Sequence, residues 1–293
     1  MFPKSSVVKR DNTWLYLVEI LVLVIVVVRH ASMPDWFDRG YPAFDAFGKG
    51  IIWATEICLP AFFILAGYLF FRGVPKRPEP AWFGKKYLCG LKVLVIPYLI
   101  ANLLSWFVYA AAYKFAPSLM SGFLEGSWTD PLFIFWKGPI NMSLWFMREV
   151  IVAFLVFPLI YLLVRYTWGI AVVALGVLWG FHLAPEPLFW FSLGSALAIL
   201  PLHSRRLGDW MARHPLRFGA DCLNGCYFIY LYHYLPQIAM KKVGIMLLPG
   251  VNSAGLIAVW ICNALILLAG LFAIYLLLRR FAPKLLALLV GSW

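Results

Sequence analysis

Residues 13–30 read TWLYLVEILVLVIVVVRH, an apolar run whose only charge before the closing Arg29 and His30 is Glu19. A helix needs about 20 predominantly apolar residues to cross the hydrocarbon core of a bilayer, so this stretch points to a membrane-spanning helix. The whole chain agrees. Of 293 residues, 63% are hydrophobic, 18% aromatic and only 13% charged, with a mean hydropathy of +0.83. Those values exclude a soluble enzyme and a disordered chain, and there is neither a Gly-X-Y period nor the cysteine density of a secreted disulfide scaffold.

Seven more stretches outward from the first helix meet the same length criterion: 50–71, 91–113, 144–164, 168–183, 187–202, 222–240 and 255–278. The fold class is therefore all-α, a polytopic bundle of about eight spans (eight to ten), in one domain covering 1–293. The fifth and sixth stretches are short and meet at a proline-rich turn, His182 to Pro187. Residues 131–137, within a long aromatic loop from 118 to 143, suit an interfacial or re-entrant piece and are too short to span alone. The first stretch has no small-residue cleavage site and ends in Arg29 and His30, so it is expected to remain in the membrane.

The net charge of +12 is what membrane orientation requires of such a chain, not a sign of nucleic-acid binding. With the N-terminus inside, 17 of the 25 Lys and Arg residues fall on the cytoplasmic side and 8 outside. Both termini are then cytoplasmic, and the expected location is the plasma (inner) membrane, crossed many times. Cys58, Cys89, Cys222, Cys226 and Cys262 lie in or beside apolar runs and contain no CxxC pair, which reads as core packing. No His, Cys or Asp cluster has the spacing of metal ligands, so no metal is expected.

Ionisable groups within a span cost several kcal/mol and mark function or a buried pair. The candidates are Glu19 and His30 in the first span, Glu56 in the second, Trp145, Arg148 and Glu149 opening the fourth, and His233 in the seventh. Eleven residues separate Glu19 from His30, a turn of about 1100° and a rise of about 16 Å, so the two share a helix face. Given the topology, His30, Glu56, Arg148 and His233 converge at one outer level from four helices. Each also has a plainer reading: Arg29 as a head-group snorkel, Glu149 as a partner of Arg148, His233 as a hydrogen-bonded core residue. Four helices contributing to one layer favour a site.

The same segments carry a resemblance. The Glu19 to His30 helix is followed by LPAFFILAGYLFF (59–71), KVLVIPYLI (92–100), SLWFMREVIVAF (143–154), FWFSLGSALA (189–198) and YFIYLYHYLP (227–236). In that order the set resembles the acyltransferase 3 family of integral-membrane acyltransferases, over nearly the whole chain. The resemblance implies a helix bundle that moves an acyl group, commonly acetyl from cytosolic acyl-CoA, onto a hydroxyl of a cell-surface glycan or lipid-linked saccharide. Acyl-CoA is then a co-substrate, no cofactor stays bound, and the partners are acyl-CoA, the saccharide and membrane lipids, not nucleic acid. His30 corresponds to the family's His at the end of the first helix. This chain departs from the pattern at Glu19, where an Arg is frequent, at Ala66, where Ser is frequent, and in the short 203–221 link, where relatives carry a further helical pair.

O-acyl transfer needs a base for the hydroxyl and donors for the developing oxyanion. A neutral imidazole at His30 serves as the base, Glu56 orients it, and Arg148 is the oxyanion donor or sugar clamp. Glu19, Trp145, Glu149 and His233 complete a substrate-binding shell. Two other readings use the same residues: a transporter or flippase for a lipid-linked saccharide, and a catalytically silent acyltransferase-like scaffold, for which Glu19 is the argument.

Overall fold

The computed structural model describes residues 13–32, 37–75, 77–115, 139–200, 220–246 and 252–291. Every regular element among them is helical. In chain order these are α1 (Thr13–His30), α2 (Pro42–Phe71), α3 (Pro80–Gly90), a π-helical turn (Leu91–Val95), α4 (Ile96–Phe115), a short 3-10 turn (Met142–Leu144), α5 (Trp145–Leu155), α6 (Phe157–Tyr166), α7 (Ile170–Gly180), α8 (Glu186–Ile199), α9 (Ala220–Tyr232), α10 (Tyr234–Met246), α11 (Ser253–Phe281) and α12 (Pro283–Val290).

Three helical stretches among the described residues are long and apolar enough to cross a membrane: Pro42–Phe71, the continuous Pro80–Phe115, and Ser253–Phe281. A fourth is added if the bent pair Met142–Leu155 and Phe157–Tyr166 counts as one span. The other expected spans take different forms. Helices α7 and α8 have 11 and 14 residues, roughly 16 and 21 Å at 1.5 Å per residue, against a hydrocarbon core of about 30 Å. The 144–164 stretch bends by 63° after Leu155, because Pro158 has no N–H for the Phe154 carbonyl and its ring crowds that oxygen. The 222–240 stretch breaks at His233, where Pro236 does the same to the carbonyl of Tyr232. Residues 131–137 and nearly all of the 203–221 link lie outside the described residues.

The polarity of the long helices identifies their surroundings. On α4 the buried positions include Tyr98, Asn102, Ser105 and Tyr109, whereas Leu103, Leu104, Phe107 and Val108 are exposed. A water-soluble helix shows the opposite arrangement. Helix α11 buries Leu256, Trp260, Ala264, Leu267, Leu271 and Tyr275, a stripe at steps of three and four, and leaves Leu265, Ile266 and Leu277 exposed. Apolar side chains outside and uncharged polar groups inside are what a lipid solvent selects.

The chain forms two compact units. The first comprises Met1–Arg29, Lys49–Leu91 and Glu149–Asn224. In it α8 packs on α6 and α7, and the rings of Phe71, Phe154, Phe157 and Phe191 pack edge to face or tilted around that of Phe70. Lys86 donates to the Phe70 carbonyl at 2.8 Å near the C-terminal end of α2, the end where a cation is favoured. Helices α2 and α8 touch backbone to backbone: a Cβ at Gly194 would fall on the Ile64 carbonyl, and one at Gly67 on the Phe191 carbonyl.

The second unit comprises His30–Gly48, Lys92–Arg148 and Gly225–Trp293. The early start of α2 at Pro42 belongs here, because Phe44 and Phe47 pack on Trp260 of α11. The π-helical turn also has a local cause. Pro97 lacks the N–H that would serve the Val93 carbonyl in an α-helix, and the hydroxyl of Tyr227 on α9 donates to that oxygen instead, at 2.6 Å. Tyr227→Phe keeps the ring and strips this donor from a part-buried carbonyl, so it should destabilise the protein by about 1–3 kcal/mol. Denaturant unfolding in detergent micelles checks this, and an unchanged midpoint would mean that another group serves the Val93 oxygen.

Candidate functional site

The polar interior of the second unit is built on the α4 stripe. Residues 98, 102, 105 and 109 step by four, three and four, which keeps them on one face. Asn102 is fully buried; its amide donates to the Tyr98 carbonyl at 2.9 Å and its oxygen accepts the backbone N–H of Asn141 at 3.1 Å. Asn141 in turn donates to the Leu231 carbonyl at 3.2 Å and accepts from Ser143 Oγ at 2.6 Å. The Tyr230 hydroxyl donates to the Ser143 carbonyl at 3.2 Å. These bonds tie the entry to α5 to the end of α9, so the backbone leading into His233 is held by hydrogen-bonded groups.

His233 sits at the α9–α10 break, and its side chain has no exposed surface. Its Nδ1 lies 2.9 Å from the Tyr230 carbonyl and 3.2 Å from that of Ile229. The His30 ring, at the end of α1 and half-buried, stands 5.3 Å from the His233 ring between centroids. Tyr234 presents an edge to His30 at 6.2 Å, and its hydroxyl is hydrogen-bonded to that of Tyr109. Two imidazoles and a tyrosine pair thus meet beside the amide network. The cluster can take a proton from a hydroxyl, hold it on an imidazole and pass it on.

The structure brings together two of the expected site residues, His30 and His233. Trp145 and Arg148 lie in the same unit at the start of α5, Trp145 at 36% exposure and Arg148 half-buried. Glu56 and Glu149 belong to the first unit; Glu149 is half-buried, and Glu56 is exposed between Trp53 and Ile57 on α2. The side chain of Glu19 lies outside the described residues. Among the described residues no three His, Cys, Asp or Glu side chains converge to hold a metal ion.

Sequence reading missed the uncharged members: Tyr98, Asn102, Ser105, Tyr109, Asn141, Ser143, Tyr230 and Tyr234. The signal was present in the four-three-four spacing of polar residues along an otherwise apolar helix. The chain matches no protein-family model, no curated protein and no solved structure.

Proposed function

We propose that this chain is an integral-membrane O-acyltransferase that moves an acyl group, acetyl in the first place, from cytosolic acyl-CoA to a hydroxyl of a cell-surface glycan or lipid-linked saccharide. The observation that carries the reading is the half-buried His30 set against the buried His233 and the Tyr109–Tyr234 pair. It supplies a base at the edge of a polar interior within an apolar helical frame, and the ordered segments that resemble acyltransferase 3 enzymes supply the reaction. In this reading His30 accepts the hydroxyl proton as the oxygen attacks the thioester carbonyl. The C–S bond then breaks, and the thiolate leaves as the thiol after receiving that proton. Arg148, in the same unit as His30, stabilises the oxyanion. Trp145 and His233, both in that unit, shape the substrate site, acyl-CoA being consumed and not retained.

The chain is taken as one domain in the plasma (inner) membrane, with about eight spans (eight to ten) and both termini cytoplasmic. Its two compact units support a single domain, because each change of unit, at 29/30, 48/49, 91/92, 148/149 and 224/225, falls inside a helical segment. The excess of Lys and Arg in loops on one side supports the orientation. Cysteine labelling in intact cells should therefore reach residues 72–86 and both termini only after the membrane is opened, and residues 35–49 without opening it. Labelling of both loops from one side would refute the topology.

Mass spectrometry of surface glycans from cells with and without the protein tests the activity. Acyl-bearing saccharides that appear only with the protein support the reading. Unchanged glycans, together with no acetyl-CoA consumption by the purified protein, favour the transporter or the silent scaffold. The transporter reading has one observation of its own, the inward polar stripe of α4, which would suit a substrate path equally well.

A further inference from the structure

Helix α11 is long and apolar enough to cross a membrane and ends at Phe281, so its last turn stands where hydrocarbon gives way to head groups. After a break at Ala282 the chain enters α12, with Pro283 at the first helical position. Eight residues of helix rise about 12 Å, too little to cross a bilayer. Helix α12 packs instead on α11 and α4. Leu286 and Val290 are buried, the Leu289 carbonyl accepts from the Tyr232 hydroxyl at 3.2 Å, and a Cβ at Gly291 would fall on the Lys92 carbonyl. The short helix is thus held at the end of a span by its own packing.

Its other face is open. Lys284, Leu285 and Leu288 are exposed, and they lie within about 100° of one another around the helix, away from Leu286 and Val290. Just before the break Arg279, Arg280 and Phe281 are exposed as well, with the Arg280 guanidinium 5.4 Å from the centre of the Phe281 ring. Three cations therefore fall within the six residues 279–284. The helices on which α12 packs bring no carboxylate, because neither α4 nor α11 contains an Asp or a Glu.

The mixture of cations and apolar side chains selects among anions. Inorganic phosphate or the phosphates of a nucleotide would answer the cations and leave Phe281, Leu285 and Leu288 uncovered. A phospholipid answers both, since basic side chains reach its phosphate while apolar ones enter the acyl boundary. A zwitterionic lipid carries a cation of its own outside the phosphate, which three basic side chains repel. We propose that this corner binds the head group of an anionic phospholipid, its phosphate held by Arg280 and Lys284 beside Arg279, its acyl chains against Phe281, Leu285 and Leu288. The binding is non-covalent and does not depend on the acyl-transfer reading.

The test is photo-crosslinking of the full-length protein in neutral-detergent micelles. Phosphatidylglycerol and phosphatidylcholine are supplied with the same diazirine-bearing acyl chain, and adducts are located by peptide mass spectrometry. Residues 281–288 should be labelled in preference by phosphatidylglycerol. Arg280→Gln and Lys284→Gln should each lower that preference about fivefold, the equivalent of about 1 kcal/mol per cation near an anionic surface, and together about 25-fold. Arg280→Lys keeps the charge and should keep the preference. Phosphatidylcholine labelling of the same residues, unchanged in every variant, shows that α12 stays in place. Equal labelling by the two lipids in the wild type, or an unchanged preference in the double variant, overturns the proposal. Displacement of phosphatidylglycerol by CoA or by inorganic phosphate at the lipid's own concentration overturns it too, because the cations would then serve a soluble anion.

Discussion

His30→Ala is expected to lower acyl transfer by about 10²- to 10⁴-fold, the usual loss when a general base is removed. A histidine that only capped α1 or reached toward lipid head groups would leave the rate nearly unchanged. Because a misfolded protein mimics a catalytic defect, the comparison is made between His30→Ala and wild-type proteins at equal membrane abundance, with His233→Ala measured beside them. His30 ends α1 and keeps an open edge, so its truncation should leave the packed interior intact. His233 has no exposed surface, and its truncation opens a cavity at the α9–α10 break. His30→Ala should therefore lose rate and keep stability, while His233→Ala loses some of both. If His30→Ala keeps its turnover while His233→Ala is inactive at equal abundance, the base is His233; if both keep it, the enzyme reading of this cluster fails.

Hydropathy located helices better than it located their ends and bends. The end of α1 at His30 coincides with the end of the apolar run, and the apolar centres of α2 and α11 fall where the sequence placed them. The first turns of α2 were read as loop, because Asp45 and Lys49 lower the local hydropathy while Phe44 and Phe47 pack on Trp260. Proline alone does not decide where a helix bends. Pro158 and Pro236 each accompany a break, yet α2 runs through Pro60 without one. A missing N–H is a local fact, whereas the bend depends on what packs against the freed carbonyl.

Of the four residues expected at one level, the structure brings His30 and His233 together, and the direction each side chain takes was not legible in the sequence. Counting residues along a helix gives the depth of Glu56, but depth leaves its direction open. Thr55 is buried and bonds back to the Ile51 carbonyl at 2.7 Å, while Glu56, about 100° further round the helix, lies on the exposed side with Trp53 and Ile57. His30, by contrast, ends α1, and His233 stands at the α9–α10 break. Attention to charge also hid Asn102, Asn141 and the tyrosines, which carry no charge and are outnumbered by apolar neighbours along their segments, although they form the interior of the second unit.

Two segments that carried the family resemblance, LPAFFILAGYLFF and FWFSLGSALA, meet at the contact of α2 with α8, and this contact sets the second large effect. Gly194→Leu is expected to prevent normal assembly of the first unit, and Gly194→Ala or Gly67→Ala to cost about 1–3 kcal/mol each through overpacking. A Cβ at either position would meet a backbone carbonyl, of Ile64 or of Phe191, and not the movable end of a side chain. Relief then requires the helices to separate. In lipid no hydrophobic drive holds two apolar helices together, so separation forfeits the van der Waals contact that does. The two alanine substitutions strain the same contact, and once one has parted the helices the second costs less. The double variant should therefore be destabilised by less than the sum of the singles, as read from unfolding midpoints in detergent. Strict additivity would mean that the two glycines pack independently, and a wild-type midpoint for Gly194→Ala would show that α2 and α8 do not approach this closely.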